Sequence, residues 1–504
     1  MATSLDYSFR RLVNILGPER VSRSPMERLM ASHDFASLPK IAHLQWKMVP
    51  DFVVVPKTSE EVSRLVEFSY EAGLPLVPRG GGTGLVGGGV PNRGGILVDM
   101  RRMDAIRALD ADRRTMTVQA GRTWKDAADA AAARGLFLPV VPLGAPASTI
   151  AGWYATGGVG YGSYKYGSAR DVVLDLEVVL PSGEVVHTAD GTVALGPTYA
   201  NLTPAFFGSE GTIGLITEAT LQLRPKPEEL RPLAYSFKDL WSAREVPASL
   251  AASDFEPYQV SLLDPVHLAF LRAVRPETPE PQGVAMVVLE GPKDEVVASE
   301  KELDGFIAGL GGKKLAEGVA RAQWEGRFDL YAARRITGGL VVTEGVVPVG
   351  RFPDALRMAG QVMRRLRMQV AVNSFLLDRN AVGMVPYFLM REGKLAGPTH
   401  LAFVKKFGDV AFALGGHPQG LGLFNGFNFP RMHKGAAGMY GAVKGVFDPH
   451  ATVNPGKTVE VWTRYAVPVF STVPPEVMGL GLEVAALVRR IVPRDEHVSV
   501  GGEP

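Results

Sequence analysis

The chain has 504 residues, 46% of them hydrophobic and 21% charged, which is enough for two to three domains with a large core. Its 54 Lys+Arg against 52 Asp+Glu leave a formal charge of +2, so nothing suggests the basic stripe of a nucleic-acid binder. The absence of cysteine excludes disulfides, a cysteine nucleophile, a thiolate zinc site and a cysteine-ligated iron–sulfur cluster within this chain. No apolar run approaches about 20 residues and residues 1–20 lack a signal-peptide core, so a cytoplasmic protein without a membrane span is expected.

In chain order, residues 1–45 read as helical and polar. VVV (53–55) is a strand. Thr58 or Ser59 can cap the helix EEVSRLVEFSYEAG, which stops at Gly73. LPLVPR (74–79) is a second strand, so this region reads as a βαβ unit. ILVDM (96–100) and TMTVQA (115–120) are strands, and residues 123–134 form an Ala-rich helix. Asp171 to Leu180 turns at Pro-Ser-Gly into Val185-Val186 as a hairpin, and 211–224 is strand-like. Pro225, Pro227 and Pro232 mark a domain boundary. A second β/α pattern follows: strand 284–290, helices 293–308 and 352–366, strands 370–375 and 382–390. Residues 447–457 are loop-like. Residues 461–504 form a tail with one amphipathic stretch, EVMGLGLEVAALVRRIV.

Glycine is in excess, 57 residues or about 11% against a typical ~7%, and clusters at 80–95, 152–167 and 415–426. PRGGGTGLVGGGV (78–90) contains Gly82-x-Gly84-x-x-Gly87. A Rossmann fingerprint would open a helix inside this loop. Here the loop runs through Val90 and Pro91 into a strand, so that reading is rejected. Without side chains, Gly80, Gly81, Gly82 and Gly84 can present consecutive N–H groups as an anion nest; a tight turn is the alternative.

VVVPKTSEEV, GLPLVPRGGGTGLVGG and LVDMRRM, then TIAGWYATGGVGYGSYKYGSARDVVLDLEVVLPSGEVV, FFGSEGTIGLITEATLQL and FDPHATVNPGKTV, resemble the vanillyl-alcohol oxidase / para-cresol methylhydroxylase (PCMH) family. The similar branch holds glycolate oxidase flavoprotein subunits and D-lactate dehydrogenases. The resemblance implies an α+β fold: a two-subdomain PCMH-type FAD-binding domain plus an α+β cap. The boundaries expected are 1–228 for the FAD domain, 229–430 for the cap, 431–460 for a return to the FAD domain and 461–504 for the tail.

The same resemblance implies FAD. Arg79, Gly80, Gly81, Gly82, Thr83, Gly84 and Leu85 resemble the first diphosphate loop. Thr149, Ile150, Gly152, Thr156, Gly157 and Gly158 resemble the second stretch. Gly211, Ile213 and Ile216 resemble the strand receiving the adenine end, and Asn454 and Lys457 the return loop nearing the flavin ring. Relatives that bind flavin covalently use a His in the first loop or a Cys. Thr83 holds that position and cysteine is absent, so the FAD is expected to be non-covalent.

The catalytic half departs from 2-hydroxy-acid dehydrogenases, which carry a His-x-Gly-Asp-Gly-Asn-x-His stretch and a Gly-Glu-His-Gly stretch. The counterparts here, Phe375 to Val382 and GGHPQGLGLFNGF (415–427), keep Asp378 and Asn380 but lack the His ligands and the Glu-His pair. No metal site is expected. His417 is the first candidate for the base taking the hydroxyl proton, ahead of His433 and His450. A surface or packed histidine is the competing reading for each. Arg334 and Arg335 resemble the carboxylate-binding stretch, with a solvated basic pair as the alternative. Phe424, Asn425, Phe427, Asn428 and Phe429 can line a pocket or pack in a core. Lys165 and Tyr166 can tune a flavin or brace a loop.

The function expected is oxidation of a 2-hydroxy acid such as glycolate or D-lactate by hydride transfer to FAD. Without its own cluster the chain must pass electrons to oxygen, a quinone or a separate iron–sulfur subunit, which would hold it peripherally at a membrane. A homo-oligomer stays open. One alternative is an oxidase or dehydrogenase of an alcohol, sugar or aldehyde; another is an electron-transfer subunit with no substrate of its own.

Overall fold

A computed structural model describes residues 4–35, 46–189, 201–276, 278–280, 282–329, 333–337, 339–366, 369–390 and 396–458. The amphipathic stretch of the tail lies outside these residues. The described residues divide into two compact units: those within 1–159, 168–226 and 420–458, and those within 160–167 and 227–419.

The first unit is built on two sheets. The smaller has the strand order Val21–Ser22, Phe52–Val54, Ile96–Asp99, Leu76–Arg79. Phe52–Val54 and Leu76–Arg79 each run parallel to Ile96–Asp99. The two strands expected to form a βαβ unit are therefore not neighbours, because a third strand lies between them. Ile96–Asp99 is buried at all four positions, as a central strand covered on both faces requires. The connecting helix Ser59–Ala72 has the expected signals: the Thr58 side chain accepts from the Glu61 N–H, and Gly73 closes it in the left-handed region.

The larger sheet of this unit is antiparallel, in the order Val185–His187, Val173–Val179, Leu215–Gln222, Thr115–Gln119, Ile106–Asp110. The expected hairpin pairs Val179 with Val185. Residues 1–45 are not simply helical. Helices Leu5–Leu16 and Pro25–Met30 flank Val21–Ser22, which pairs with Val54 and Val53, and residues 36–45 lie outside the described set.

The second unit is organised by an antiparallel sheet. The order is Lys313–Lys314, Glu229–Phe237, Gly283–Gly291, Gln259–Leu263, Ala371–Leu376, Ala381–Met390, Gly345–Pro348, His417–Pro418, with Gly339–Val342 also on Ala381–Met390. Neighbouring residues on a strand face opposite sides, and both sides of this sheet are covered. Ala234 joins Leu268, Val284 and Ala320 in a buried cluster, while the Tyr235 hydroxyl donates to Asp304 Oδ1 at 2.8 Å on helix Lys293–Gly309. Sequence patterning does not anticipate the 18-residue helix Ala396–Ala413.

Candidate active site and nucleotide cradle

In the first unit the two stretches read as phosphate loops meet. A Cβ added to Gly80 would lie 2.1 Å from Thr149 Oγ1, and one on Gly81 2.3 Å from the Ala147 carbonyl oxygen. Thr83 Oγ1 and Ser148 Oγ share a hydrogen bond of 3.0 Å. Glycine at 81 is therefore needed for backbone to meet backbone, and glycine at 80 leaves room for the Thr149 hydroxyl. No helix begins between Gly80 and Gly95; the chain runs into strand Ile96–Asp99. Residues 79–85, Leu85 included, are half-buried, while Val86, Gly87 and Gly88 are buried.

The second stretch is pinned by backbone. Trp124 donates to Ser148 O and Ile150 donates to Arg122 O. Thr149 stands at the start of helix Ile150–Ala155 without capping it, and its Oγ1 is buried with no hydrogen-bond partner. Gly152 passes close, its Cβ position 2.9 Å from that same oxygen, and Gly158 would drive a Cβ into the Trp153 ring. Thr156 is exposed and bonds back to Gly152 O and Trp153 O. A third stretch leans on the second: Glu210 donates to Ala155 O and Gly208 to Tyr154 O, with Gly157 and Gly208 packed together. Ile213 and Ile216 are buried apolar side chains beyond Gly211, leaving only their backbone for a ligand.

Other expected ligands turn inward. Arg79 Nη1 donates to Ala31 O, and burial lowers the affinity of its guanidinium for a proton, opposed by Asp34 and Asp99. Lys457 is fully buried; its Nζ donates to the carbonyls of Gly87, at 2.9 Å, and Val90. Asn454 Nδ2 donates to Gly88 O and Glu210 O. Asn454 and Lys457 thus grip the loop itself. Glu210, which the sequence reading passed over, sits in the left-handed region at φ 54° and accepts from Leu421 N and Gly422 N. Burial pushes its carboxyl up to about 7. An acid between Ser209 and Gly211 was the signal available.

Half-buried loop amides, an unpartnered buried hydroxyl and glycines at every close approach fit a diphosphate-bearing nucleotide.

In the second unit the best-defined charge is one the sequence reading missed. The Arg327 guanidinium lies 4.0 Å from the Trp324 ring centre, 4.4 Å from Phe328 and 5.6 Å from Tyr161. Its Nη1 donates to Trp324 O at 2.6 Å, and the Tyr161 hydroxyl donates to Arg327 O. Nε is buried with no acceptor among the described residues. Burial lowers this guanidinium's proton affinity. The Trp-x-x-Arg spacing, one turn at the end of helix Glu317–Glu325, was its sequence signal.

Arg334 and Arg335 occupy the short helix Arg334–Thr337, half-buried and exposed respectively. His417 is exposed, with Nδ1 3.0 Å from Pro418 O. Strand register separates them. Gly339 pairs with Met390, whereas Val346, the partner of His417, pairs with Gly383. At ~3.3 Å per residue the offset along the sheet is about 20 Å, so the structure does not bring His417 and the arginine pair to one small acid. His433 packs on Phe429 and His450 on Tyr70. Asn425, Asn428 and Phe429 are buried in the first unit, Asn428 with an unpartnered Oδ1; the side chains of Phe424 and Phe427 lie outside the described set.

Lys165 and Tyr166 act as braces. Lys165 Nζ lies 3.1 Å from Glu290 Oε1, and the Tyr166 hydroxyl donates to the same oxygen. Asp378 and Asn380 serve a turn, Asn380 N donating to Asp378 Oδ1 between two strands. Phe375 and Val382 are buried apolar residues. No group of three or more potential metal ligands occurs among the described residues.

Residues 50–189 match the FAD binding domain model, and residues 226–458 the C-terminal domain of FAD linked oxidases. The glycolate oxidase subunit GlcD of Bacillus subtilis is 29% identical over 462 residues, covering 89% of this chain and 95% of that protein. The D-lactate dehydrogenase of Archaeoglobus fulgidus is 29% identical over 432 residues, 81% and 91% of the two chains. In fold, p-cresol methylhydroxylase superposes with a TM-score of 0.75 at 17% identity, covering 90% of this chain and 96% of that one. With the first two stretches of its glycine cradle inside the FAD-binding match, the chain belongs to the FAD-linked oxidoreductases, is an enzyme of that class, and takes FAD as its cofactor.

Proposed function

We propose that the enzyme oxidises a 2-hydroxy acid of the glycolate or D-lactate kind and that Arg327 receives the substrate carboxylate. Bound flavin supplies a hydride acceptor; the protein's own part is to orient the acid and accept its hydroxyl proton. One observation carries this reading: a half-buried guanidinium set among three aromatic rings with its buried Nε–H unused. Burying a cation without an anion costs several kcal/mol, and cation–π contacts of roughly 0.5–2 kcal/mol offset part of it. A carboxylate bound in the fork would supply the rest. The names glycolate oxidase and D-lactate dehydrogenase borne by relatives support the same substrate class.

Arg327 is taken as the carboxylate grip in place of Arg334 and Arg335, and His417→Ala tests whether His417 takes the hydroxyl proton. The flavin is held without a covalent bond, for want of cysteine and with Thr83 in the loop. Electrons leave to a separate iron–sulfur protein or a quinone, a role consistent with a relative named as a subunit.

The test is anaerobic mixing of the holoprotein with D- and L-2-hydroxy acids, sugars and alcohols, following flavin bleaching. Bleaching by a hydroxy acid that Arg327→Met weakens at least about tenfold in kcat/KM, through loss of one charged contact, is expected. Bleaching by sugars or alcohols alone would favour the second reading, to which the apolar Phe375 and Val382 lend support.

A further inference from the structure

The inner arm of the glycine loop is held from behind by a buried lysine. Lys457 is completely buried, and its hydrogen bonds go to backbone carbonyls, while Asp34 and Glu210 favour its charged form through space. Its ammonium is used only on backbone, bonding Gly87 O and Val90 O. Asn454, three residues earlier and itself in the left-handed region at φ 38°, bonds Gly88 O. The return segment carrying both is fastened to the strand that feeds the loop: Leu76 N donates to Thr452 O, and Asn454 N donates to Leu76 O. Leu423 N donates to Val86 O, so residues 86–90 are tied at four carbonyls.

A methionine at 457 would match the lysine's length but leave the Val90 carbonyl without a donor and the Gly87 carbonyl with only the 3.3 Å bond from Val90 N, a loss that proteins avoid for buried groups. Turning these carbonyls inward sets the peptide planes of a segment that, being rich in glycine, has little conformational preference of its own. The loop's outer arm, Gly80 to Gly84, stays half-buried and open to a ligand.

We propose that Lys457, assisted by Asn454, is a positioning residue for the diphosphate of FAD: it fixes the inner arm of the glycine loop so that the outer arm is preorganised for phosphate, without touching the cofactor. This inference rests on FAD binding and holds whatever substrate is oxidised.

The test uses full-length apoprotein, titrated with FAD, with ADP (the diphosphate without flavin) and with FMN (the flavin without diphosphate). Lys457→Met is expected to weaken FAD and ADP together, at least about tenfold for the loss of charged hydrogen bonds, and to change FMN binding less than about twofold. Lys457→Arg, which retains donors, is expected to recover part of the ADP affinity. Unchanged ADP binding, or equal losses for ADP and FMN, would overturn the proposal. Should Lys457→Met fail to fold, Asn454→Leu is judged by the same selectivity for ADP over FMN, with the same two outcomes.

Discussion

Gly80 and Gly81 lie side by side against the second phosphate stretch, yet they should respond differently to alanine. A side-chain carbon essentially never comes within 3.0 Å of a heavy atom outside its own neighbourhood; at Gly81 it would stand 2.3 Å from Ala147 O, a shortfall of about 0.7 Å. That obstacle is main chain, so Gly81→Ala must push the two stretches apart. Overpacking of this kind costs ~1–3 kcal/mol, equivalent to roughly 5–150-fold in FAD affinity if the bound geometry bears it. At Gly80 the shortfall from 3.0 Å is about 0.9 Å, since the contact would be 2.1 Å, but the obstacle is the Thr149 hydroxyl. That oxygen has no hydrogen-bond partner to lose. Thr149→Ala should therefore leave the apoprotein's stability nearly unchanged and rescue Gly80→Ala, with a coupling of ~0.5–3 kcal/mol, whereas it should not rescue Gly81→Ala. Thermal unfolding of apoprotein and fluorescence titration with FAD, run on both double-mutant cycles, supply the numbers. If Gly80→Ala and Thr149→Ala prove additive, or Gly81→Ala binds FAD as the parent does, the close approach described here is not the reason for glycine.

Glu210 gives a pH signature. Its carboxyl is raised from 4.5 to about 7 by burial, so the folded state holds the proton more tightly and stability falls as pH rises from about 4.5 to about 7. Glu210→Gln keeps an acceptor for Leu421 and Gly422 and should flatten that slope in melting temperature; an unaltered slope would remove Glu210 as its source. Lys457, lowered from 10.5 to about 7, acts in the higher window, losing stability as pH falls from about 10.5 to about 7, and is common to both proteins. For His417→Ala, a rate of flavin bleaching reduced by ~10²-fold or more marks a general base, while an undiminished rate assigns the proton elsewhere.

Much of this protein could be read along the chain because its signals are local. Thr58 and Gly73 bound a helix by capping rules that involve a few residues, and the valines of 173–179 and 185–187 specify a hairpin through the turn between them. The glycine pattern, continuing into a strand instead of a helix, was enough to separate this loop from a Rossmann fold. Tertiary structure decided everything that depends on groups distant in sequence. It inserted Ile96–Asp99, buried at all four positions, between two strands that follow one another, a placement that depends on what packs against both faces of the sheet. It turned Asn454 and Lys457 onto carbonyls some 370 residues earlier, and it left Arg327 in a box of rings with an N–H unspent. Burial gives a lysine or an arginine its chemical meaning, and burial is a property of what the rest of the chain packs around it, which no stretch of sequence carries by itself.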